Sequence, residues 1–191
     1  MRIITGTAKG MKLKTPRGKD VRPTSDRVRE ALFSIISHHL AGAIFFDLYA
    51  GSGAVGIEAL SRGAEKSVFV DYKRENISLI KENLAKAGLS ENAVVIKDDA
   101  EKTILKLGRE NFKAGLIFLD PPYSFTRMNE VINKIITCRV VEQHGLIIVE
   151  HNYHNRQWTD KYPEARQKRY GDTCLTFIEP GSLTQFGQNF F

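Results

Sequence analysis

The feature that most constrains the fold of this chain is a regular alternation, from residue 44 onward, of short apolar runs with amphipathic stretches of helical spacing. Residues 73–87 and 128–136 repeat apolar side chains at helical spacing, and the first of these stretches ends at Gly88, a common helix terminator. Apolar runs that alternate with helices are typical of parallel strands buried on both faces. We therefore expect an α/β fold built on a doubly wound, mostly parallel sheet. The apolar runs are residues 44–48, 67–70, 93–96, 116–119 and 146–149.

The two ends of the chain carry different patterns. Residues 1–22 combine glycines with short β-branched stretches, which predict a basic N-terminal β-hairpin extension outside the main sheet. Residues 24–40 place apolar side chains on one stripe and predict an amphipathic helix, with capping candidates at residues 24–26. The turn sequence Gly171-Asp172 predicts an antiparallel pair of strands at the end of the sheet. The main domain then covers residues 23–180, and residues 181–191 form a C-terminal tail.

Size and composition restrict the class of protein. A chain of 191 residues with 42% hydrophobic content is long enough for one domain with a full core. No apolar run reaches the length of a membrane span, and the N-terminal residues lack the apolar core of a signal peptide. Cys138 and Cys174 are widely separated, which favours a reduced, cytoplasmic compartment and argues against a metal site.

Positive charge is concentrated at the N-terminus. Residues 1–30 contain nine Lys or Arg against three Asp or Glu, whereas the remaining residues carry 19 of each sign. A solvated basic arm explains this distribution, and so does a segment that binds the phosphates of a nucleic acid.

A glycine-rich loop follows the first apolar run. Gly51, Gly53 and Gly56 have the G-x-G-x-x-G spacing that lets a backbone turn tightly and approach a ligand at a helix N-terminus. Asp71 lies 20 positions after Gly51, at the end of the next apolar run, where a carboxylate binds ribose hydroxyls. Taken alone, this spacing fits a nicotinamide-dependent oxidoreductase, and a purely structural tight turn is the alternative.

Asp47 changes this interpretation. A carboxylate four residues before the first glycine suits a ligand with an ammonium group better than it suits a dinucleotide. The segment resembles the D-x-x-x-G-x-G motif of the class I methyltransferases, which use S-adenosylmethionine. The resemblance implies a Rossmann-like seven-stranded sheet with an antiparallel C-terminal strand. It also implies that the cofactor is held by Asp47, the backbone of Tyr49, Ala50, Gly51 and Gly53, the ribose-binding Asp71, and the adenine-binding Asp99 and Ala100. Asp98 stays open as an alternative to Asp99.

A second motif, Asp120-Pro121-Pro122-Tyr123, follows the fourth apolar run. The two prolines fix φ and remove N–H donors, so a carboxylate and a rigid carbonyl form a pair of acceptors for an amino group. Tyr123 offers a flat surface on which an unstacked base can lie. A strand-terminating turn is the structural alternative. The tetrapeptide resembles the catalytic motif of amino-methyltransferases, which act on exocyclic nitrogens of bases or on a glutamine side chain.

The chain as a whole resembles the bacterial RsmD-type family, which methylates N2 of a guanine in 16S ribosomal RNA. The resemblance rests on residues 2–6, Lys9-Gly10, the block 22–33, the two motifs above and the block 170–173. It implies that Arg22, Thr24 and Arg27 lie near the cofactor or the target base. It further implies RNA contacts for the basic residues of the arm, namely Arg2, Lys9, Lys12, Lys14 and Arg17.

Other functions stay open at this point. A DNA adenine-N6 or cytosine-N4 methyltransferase would use the same tetrapeptide, although the chain has no separate target-recognition domain. An oxidoreductase would not need Asp47, and a silent RNA-binding module would not need the tetrapeptide. His151 follows a strand ending, and we expect it to be a surface histidine rather than a ligand.

Overall fold

The computed structural model describes residues 1–16, 25–122 and 124–183. Within these ranges the strands and helices alternate along the chain, as the sequence predicts. The strands are β1 (Ile44–Leu48), β2 (Lys66–Asp71), β3 (Ala93–Lys97), β4 (Ala114–Leu119), β5 (Val141–Asn152), β6 (Arg166–Tyr170) and β7 (Thr173–Ile178). The α-helices are α1 (Asp26–Ile35), α2 (Ser37–Leu40), α3 (Ala54–Ser61), α4 (Arg74–Ala87), α5 (Ala100–Arg109), α6 (Met128–Thr137) and α7 (Pro180–Leu183). Two 3₁₀ turns span Ser90–Asn92 and Gln157–Lys161.

The strands form one seven-stranded sheet in the order β3-β2-β1-β4-β5-β7-β6. Strands β1 to β5 are parallel, while β7 runs antiparallel between β5 and β6. This arrangement confirms the predicted α/β fold and its antiparallel C-terminal strand. The predicted apolar run at 146–149 is only the central part of β5, because a register shift against β4 lets the strand begin at Val141.

Helices cover both faces of the sheet. On one face α1, α3 and α4 pack against a row of phenylalanines that includes Phe45, Phe69 and Phe118. On the other face α5 and α6 pack against alternate residues of the same strands, such as Phe46 and Ile117. This alternation is the period-two pattern of strands buried on both sides. The longest helix that the structure describes has 14 residues, and none of the described helices is long and apolar enough to cross a bilayer.

The predicted N-terminal β-hairpin takes the form of one short antiparallel pairing in the described residues 1–16. An antiparallel bridge joins Arg2 to Lys12, and the N–H groups of Ile3 and Leu13 donate to the carbonyls of Met11 and Met1 at 2.9 and 3.0 Å. Side chains of α3 hold this segment against the domain, since Glu58 accepts hydrogen bonds from the N–H groups of Ile4 and Thr5 at 2.7 and 3.0 Å. Gly6 lies so close to α3 that a Cβ atom there would be 1.7 Å from a backbone oxygen of that helix.

The predicted helix over residues 24–40 is shorter and divided. Ser25 is its N-cap and accepts a hydrogen bond from the N–H of Val28 at 3.2 Å, so one of the predicted capping candidates is confirmed. The helix ends at Ile35, and the buried Ile36 separates it from the short α2. At the other end of the chain, the predicted tail begins with the helical turn α7.

Gly56 provides a test of how α3 packs on the sheet. A Cβ atom at this position would lie 2.3 Å from Cε1 of Phe69, so we expect Gly56→Ala to lower the free energy of unfolding by about 1–3 kcal/mol through overpacking. Urea denaturation measures the change. Gly115→Ala is the matched control, because its Cβ would meet only an ordinary contact at 3.5 Å. In the double mutant Gly56→Ala/Phe69→Leu the cost should shrink, and additive effects would contradict the proposed contact.

Candidate active site

Three carboxylates meet at the carboxyl ends of β1, β2 and β4. The sheet register aligns Asp47 with Phe69 on β2 and with Phe118 on β4. Asp71 and Asp120 follow those two phenylalanines by two residues, which directs all three carboxylates toward the same face. β1 and β4 are also neighbours in the sheet, and the helices that follow them in the chain, α3 and α6, pack on opposite faces. Open α/β sheets bind their ligands in the crevice at such a switch point.

Asp47 is the most buried of the three, with 2% of its surface exposed. Burial, together with the neighbouring Asp120 and Asp71, raises the pKa of Asp47 to about 8. A hydrogen bond from the N–H of Gly56 to Oδ2 of Asp47, at 2.9 Å, opposes this shift. Asp47 thus holds the first turn of α3 in place, and its ionised form is poorly stabilised.

Asp71 fixes the glycine loop. Its Oδ2 accepts hydrogen bonds from the N–H of Gly51 and from Nδ2 of Asn76, both at 2.9 Å, and its Oδ1 accepts from the N–H of Lys73 at 2.8 Å. Gly51 and Gly53 adopt φ values of +56° and +75°, a region that favours glycine. A Cβ atom at Gly51 would meet no atom within 4 Å, so the loop borders open space on that side.

Asn83 ties the glycine loop to the N-terminal segment. This fully buried side chain of α4 donates from Nδ2 to the carbonyls of Ser52 and Lys14, both at 2.9 Å. Its Oδ1 accepts from the N–H of Lys14 at 2.8 Å. The sequence analysis missed this residue, because an asparagine on an amphipathic helix has no distinctive pattern.

Tyr49 connects the glycine loop to the loop that follows β4. Its backbone has φ +66°, unusual for a residue with a side chain, and its ring packs edge-on against Phe125 at 5.6 Å. Arg127 lies over the other aromatic ring of this pair and forms an ion pair with Glu101 of α5 at 2.9 Å. Phe125, Arg127 and Glu101 are further site-forming residues that the sequence analysis did not identify.

Asp99 lies exposed at the N-terminus of α5, next to the buried Ala100. Its Oδ1 accepts from the N–H groups of Glu101 and Lys102 at 2.9 and 3.2 Å. Burial raises the pKa of the Tyr49 hydroxyl, and Asp99 raises it further, which places this carboxylate on the glycine-loop side. Asp98 instead accepts from the N–H of Asp99 at 2.8 Å. The geometry therefore favours Asp99 over Asp98 as the carboxylate that faces the site.

The loop after β4 carries the tetrapeptide. Asp120 is half-buried at the strand end, and Pro121 is buried behind it. The carbonyl of Pro122 accepts a hydrogen bond from the N–H of Phe125 at 2.8 Å, which closes a turn. In the described part of the chain, the backbone hydrogen bond of this turn is accepted by the carbonyl of Pro122, and not by the carbonyl of Pro121. Tyr123 lies outside the described residues.

The remaining predicted site residues fall into two groups. Arg17, Arg22 and Thr24 lie outside the described residues. Arg27 is exposed on α1, and no described contact joins it to the three carboxylates. The buried arginine of this helix is Arg29, which lies 3.8 Å from Glu58 and also pairs with Asp26 at 3.1 Å.

The basic residues of the N-terminal segment lie on the surface. Arg2, Lys9, Lys12 and Lys14 are all exposed, and Lys14 forms an ion pair with Glu82 of α4. The segment that carries them is held at its end by Asn83, close to the glycine loop. The positive charges therefore surround a fixed segment rather than a loose arm.

Two residues of β5 lie in the interior. His151 is buried rather than on the surface as predicted, with Nε2 2.8 Å from Oγ1 of Thr176 and its ring edge-on to Trp158. Burial lowers the pKa of this imidazole, so it serves as a neutral core residue. Glu150 is also buried. Because Phe118 of β4 lies opposite Ile148 of β5, the same register places Glu150 opposite Asp120, two residues further along each strand. It therefore belongs to the same cross-strand row as Asp120.

Two surface cavities among the described residues lie elsewhere. Their volumes are about 270 and 830 Å³, and both include His39, Leu146 and Glu179 in their walls. They lie between α1, α2 and the amino half of β5, at the end of the sheet opposite the carboxylates. We assign the site by its chemistry, since the crevice at the strand ends holds the buried carboxylate and the open glycine loop.

The crevice suits a cationic ligand. Three neighbouring carboxylates, one of them with a strongly raised pKa, are stabilised by a ligand that carries an ammonium or sulfonium charge. The glycine loop leaves space beside Gly51 for the ligand to approach the backbone. A sheet of this strand order, with β7 inserted antiparallel, is the fold of the class I S-adenosylmethionine-dependent methyltransferases. The fold and the site together place the chain in this class.

Comparison with known proteins identifies the family. A family model described as "Conserved hypothetical protein 95" matches residues 1–179, and the chain belongs to this family, that of the RsmD-type methyltransferases. The chain is 36% identical over 157 residues to ribosomal RNA small subunit methyltransferase D of Escherichia coli strain K12, covering 81% of this chain and 76% of that protein. It is 31% identical over 150 residues to the Haemophilus influenzae protein of the same name, covering 78% of each.

A solved structure shows the same architecture. A hypothetical protein of Thermus thermophilus superposes with a TM-score of 0.81 at 31% sequence identity. The match covers 94% of this chain and 99% of that one. Nearly the whole of this chain therefore shares the architecture of that protein.

The raised pKa of Asp47 makes a prediction about pH. At a pH below the pKa of Asp47 in the unfolded chain, this carboxyl is protonated in both the native and the unfolded state. As the pH rises to 8, Asp47 ionises readily in the unfolded chain but not in the native protein, so the free energy of unfolding falls. We expect Asp47→Asn to be more stable than the parent by a few kcal/mol at pH 8, at about 1.4 kcal/mol per pKa unit, and equal to it at low pH. Urea denaturation across this range measures the difference, with the exposed Asp160→Asn as control.

The same variant tests how Asp47 acts on the cofactor. Asparagine keeps an oxygen that accepts from the N–H of Gly56, so the glycine loop stays braced. If the charge matters, the affinity for S-adenosylmethionine measured by calorimetry falls at least tenfold. An unchanged affinity would limit Asp47 to a structural role.

Proposed function

We propose that the protein uses S-adenosylmethionine to methylate the exocyclic N2 amino group of a guanine in 16S ribosomal RNA. The observation that carries this proposal is that the tetrapeptide begins at the carboxyl end of β4, where Asp120 neighbours the buried Asp47 at the switch point. The named relatives are small-subunit ribosomal RNA methyltransferases, which supports RNA as the substrate.

The chemistry needs alignment more than covalent catalysis. An aryl amine is a poor nucleophile because its lone pair is delocalised into the ring. Hydrogen bonds from the amine to Asp120 and to the Pro121 carbonyl would favour a tetrahedral nitrogen whose lone pair is directed at the methyl group. The cofactor, when bound, supplies an activated methyl group on a sulfonium and a neutral leaving group. Asp120 also accepts the proton that the amine releases.

Glu150 supports guanine over the other bases. Guanine carries a ring N–H donor beside its amino group, whereas adenine and cytosine carry an acceptor nitrogen at the equivalent place. A row of acidic acceptors, Asp120 on one strand and Glu150 on the next, complements two adjacent donors. The same row repels a ring nitrogen with a lone pair. The match is weaker for a DNA adenine-N6 or cytosine-N4 methyltransferase, and Asp47 argues against an oxidoreductase.

Asp120 carries the clearest test of the reaction. Asp120→Ala removes the acceptor that orients the amine, and we expect methyl transfer to fall by about 10²–10³-fold, the range found when a transition-state hydrogen bond is removed. The affinity for S-adenosylmethionine should be retained, because Asp47 and Asp71 stay in place. The assay is transfer of labelled methyl groups into small-subunit RNA from unmethylated cells, followed by mass spectrometry of nucleosides. Methylated adenosine or cytidine in place of N2-methylguanosine would refute the base assignment.

The basic N-terminal segment makes a prediction about salt. Replacing Lys9, Lys12 and Lys14 with alanine removes three side chains that can bind phosphates. RNA affinity should fall most at low salt, and the slope of log K against log salt should decrease by about 0.7 for each phosphate that is no longer bound. Filter binding at several salt concentrations measures it, and Lys106→Ala/Arg109→Ala on the distant end of α5 is the control. An unchanged slope would contradict the role of the segment in binding RNA. A decrease equivalent to two phosphates rather than three would indicate that Lys14 binds no phosphate because it is paired with Glu82.

A further inference from the structure

A cluster of one tyrosine and two arginines lies beyond the active site at the far edge of the sheet. Cζ of Arg169 is 3.6 Å from the ring centroid of Tyr153, and Cζ of Arg156 is 4.5 Å from the same centroid. Both distances are well within the range of cation–π contacts. One aromatic ring therefore contacts two guanidinium groups at once.

The backbone around this cluster is firmly held. The N–H of Tyr153 donates to the carbonyl of Asp172 at 2.8 Å, and Nε of Arg169 donates to the carbonyl of Gly171 at 2.7 Å. The turn between β6 and β7 thus supports both the ring and one of its cations. A positioned guanidinium loses less entropy on binding a ligand than a free side chain does.

The charge of this region is not compensated locally. Residues 153–170 contain more Lys and Arg than Asp and Glu. Neither Arg156 nor Arg169 forms an ion pair with any carboxylate in the described part of the chain. Two like charges fixed together without a carboxylate repel each other, and an anion that binds both relieves the repulsion. The forked guanidinium groups match the geometry of phosphate oxygens.

The position of the cluster relates it to the target base. Tyr153 directly follows the carboxyl end of β5, and Tyr170 of β6 lies in register with Thr173, which is opposite Asn152 of β5. The cluster is therefore at the same end of the strands as Asp120, and it extends from the end of β5, the neighbour of β4, to β6, three strands from β4. With strands about 4.8 Å apart, it covers roughly 5–14 Å from Asp120 along the sheet, a span of up to a few nucleotides.

We propose that Tyr153, Arg156 and Arg169 form a phosphate-binding site for the RNA backbone that flanks the target nucleotide. This inference rests on the proposed function, because it assumes that the substrate is RNA and says where the backbone of that RNA binds. The N-terminal segment adjoins the glycine loop and this cluster adjoins β5 and β6, so the two basic surfaces lie on opposite sides of the crevice. RNA bound to both would cross the acidic site between them.

The test compares Arg156→Gln/Arg169→Gln with the parent protein, using unmethylated small-subunit RNA as the probe. We expect RNA binding to weaken about tenfold at roughly 50 mM salt, and the salt slope to decrease by about 1.4, equivalent to two phosphates. KM for RNA should rise, while kcat and the affinity for S-adenosylmethionine stay unchanged. Lys106→Gln/Arg109→Gln removes the same number of charges elsewhere and should leave the slope unaltered.

The ring is tested separately. Tyr153→Leu removes the surface that aligns the two cations and should weaken RNA binding in the same direction, and Tyr153→Phe should restore most of it. Unchanged affinity and slope in the double glutamine variant would overturn the proposal. Normal binding to naked RNA with impaired methylation of assembled subunits would also overturn it, because the cluster would then contact a ribosomal protein. A parent protein that transfers no methyl group to RNA would refute the proposed function instead.

Discussion

The burial of Asp47 between two other carboxylates is the constraint on which the site depends. The register of β1 with β2 and β4 brings Asp71 and Asp120 to the same face as Asp47, and neither Asp47 nor Asp71 forms an ion pair with a described Lys or Arg. Such an arrangement is unfavourable in the isolated protein, and the raised pKa of Asp47 records this. A cationic cofactor relieves it, so part of the binding energy comes from electrostatic strain already present in the fold.

The elements around the crevice keep this strained arrangement in place. Asp71 fixes the backbone of Gly51, Asp47 fixes the first turn of α3, and the pair of Tyr49 with Phe125 joins the loops after β1 and β4. Each of these contacts joins two neighbouring elements at the carboxyl end of the sheet. The backbone of the loop after β4 is consequently held next to the glycine loop, and a substrate bound there would lose less entropy in being oriented.

The pattern of the sequence predicted the sheet and the glycine loop, because strand periodicity and glycine spacing are local properties. Gly56 is an example, since a Cβ atom there would lie only 2.3 Å from Phe69 and the third position of the glycine spacing therefore leaves no room for a larger residue. The antiparallel pairing of the N-terminal segment is predictable from its local sequence, but its path across α3 and α4 is not. It depends on Glu58 and Asn83, which are more than 50 residues away from their partners in the sequence. His151 was misplaced for a similar reason, because its burial is decided by Trp158 and Thr176.

Asn83 links the glycine loop to the basic N-terminal segment. Its side-chain amide donates hydrogen bonds to two carbonyls, that of Ser52 in the glycine loop and that of Lys14 at the end of the basic segment. A shift of the N-terminal segment would break hydrogen bonds of a fully buried amide, and the cost of leaving such a group unpaired is about 1–3 kcal/mol. The segment and the glycine loop are therefore held in one fixed relation. Phosphates bound by the segment and a cofactor bound by the loop would be aligned by the same side chain, which sets the distance between the RNA and the methyl donor.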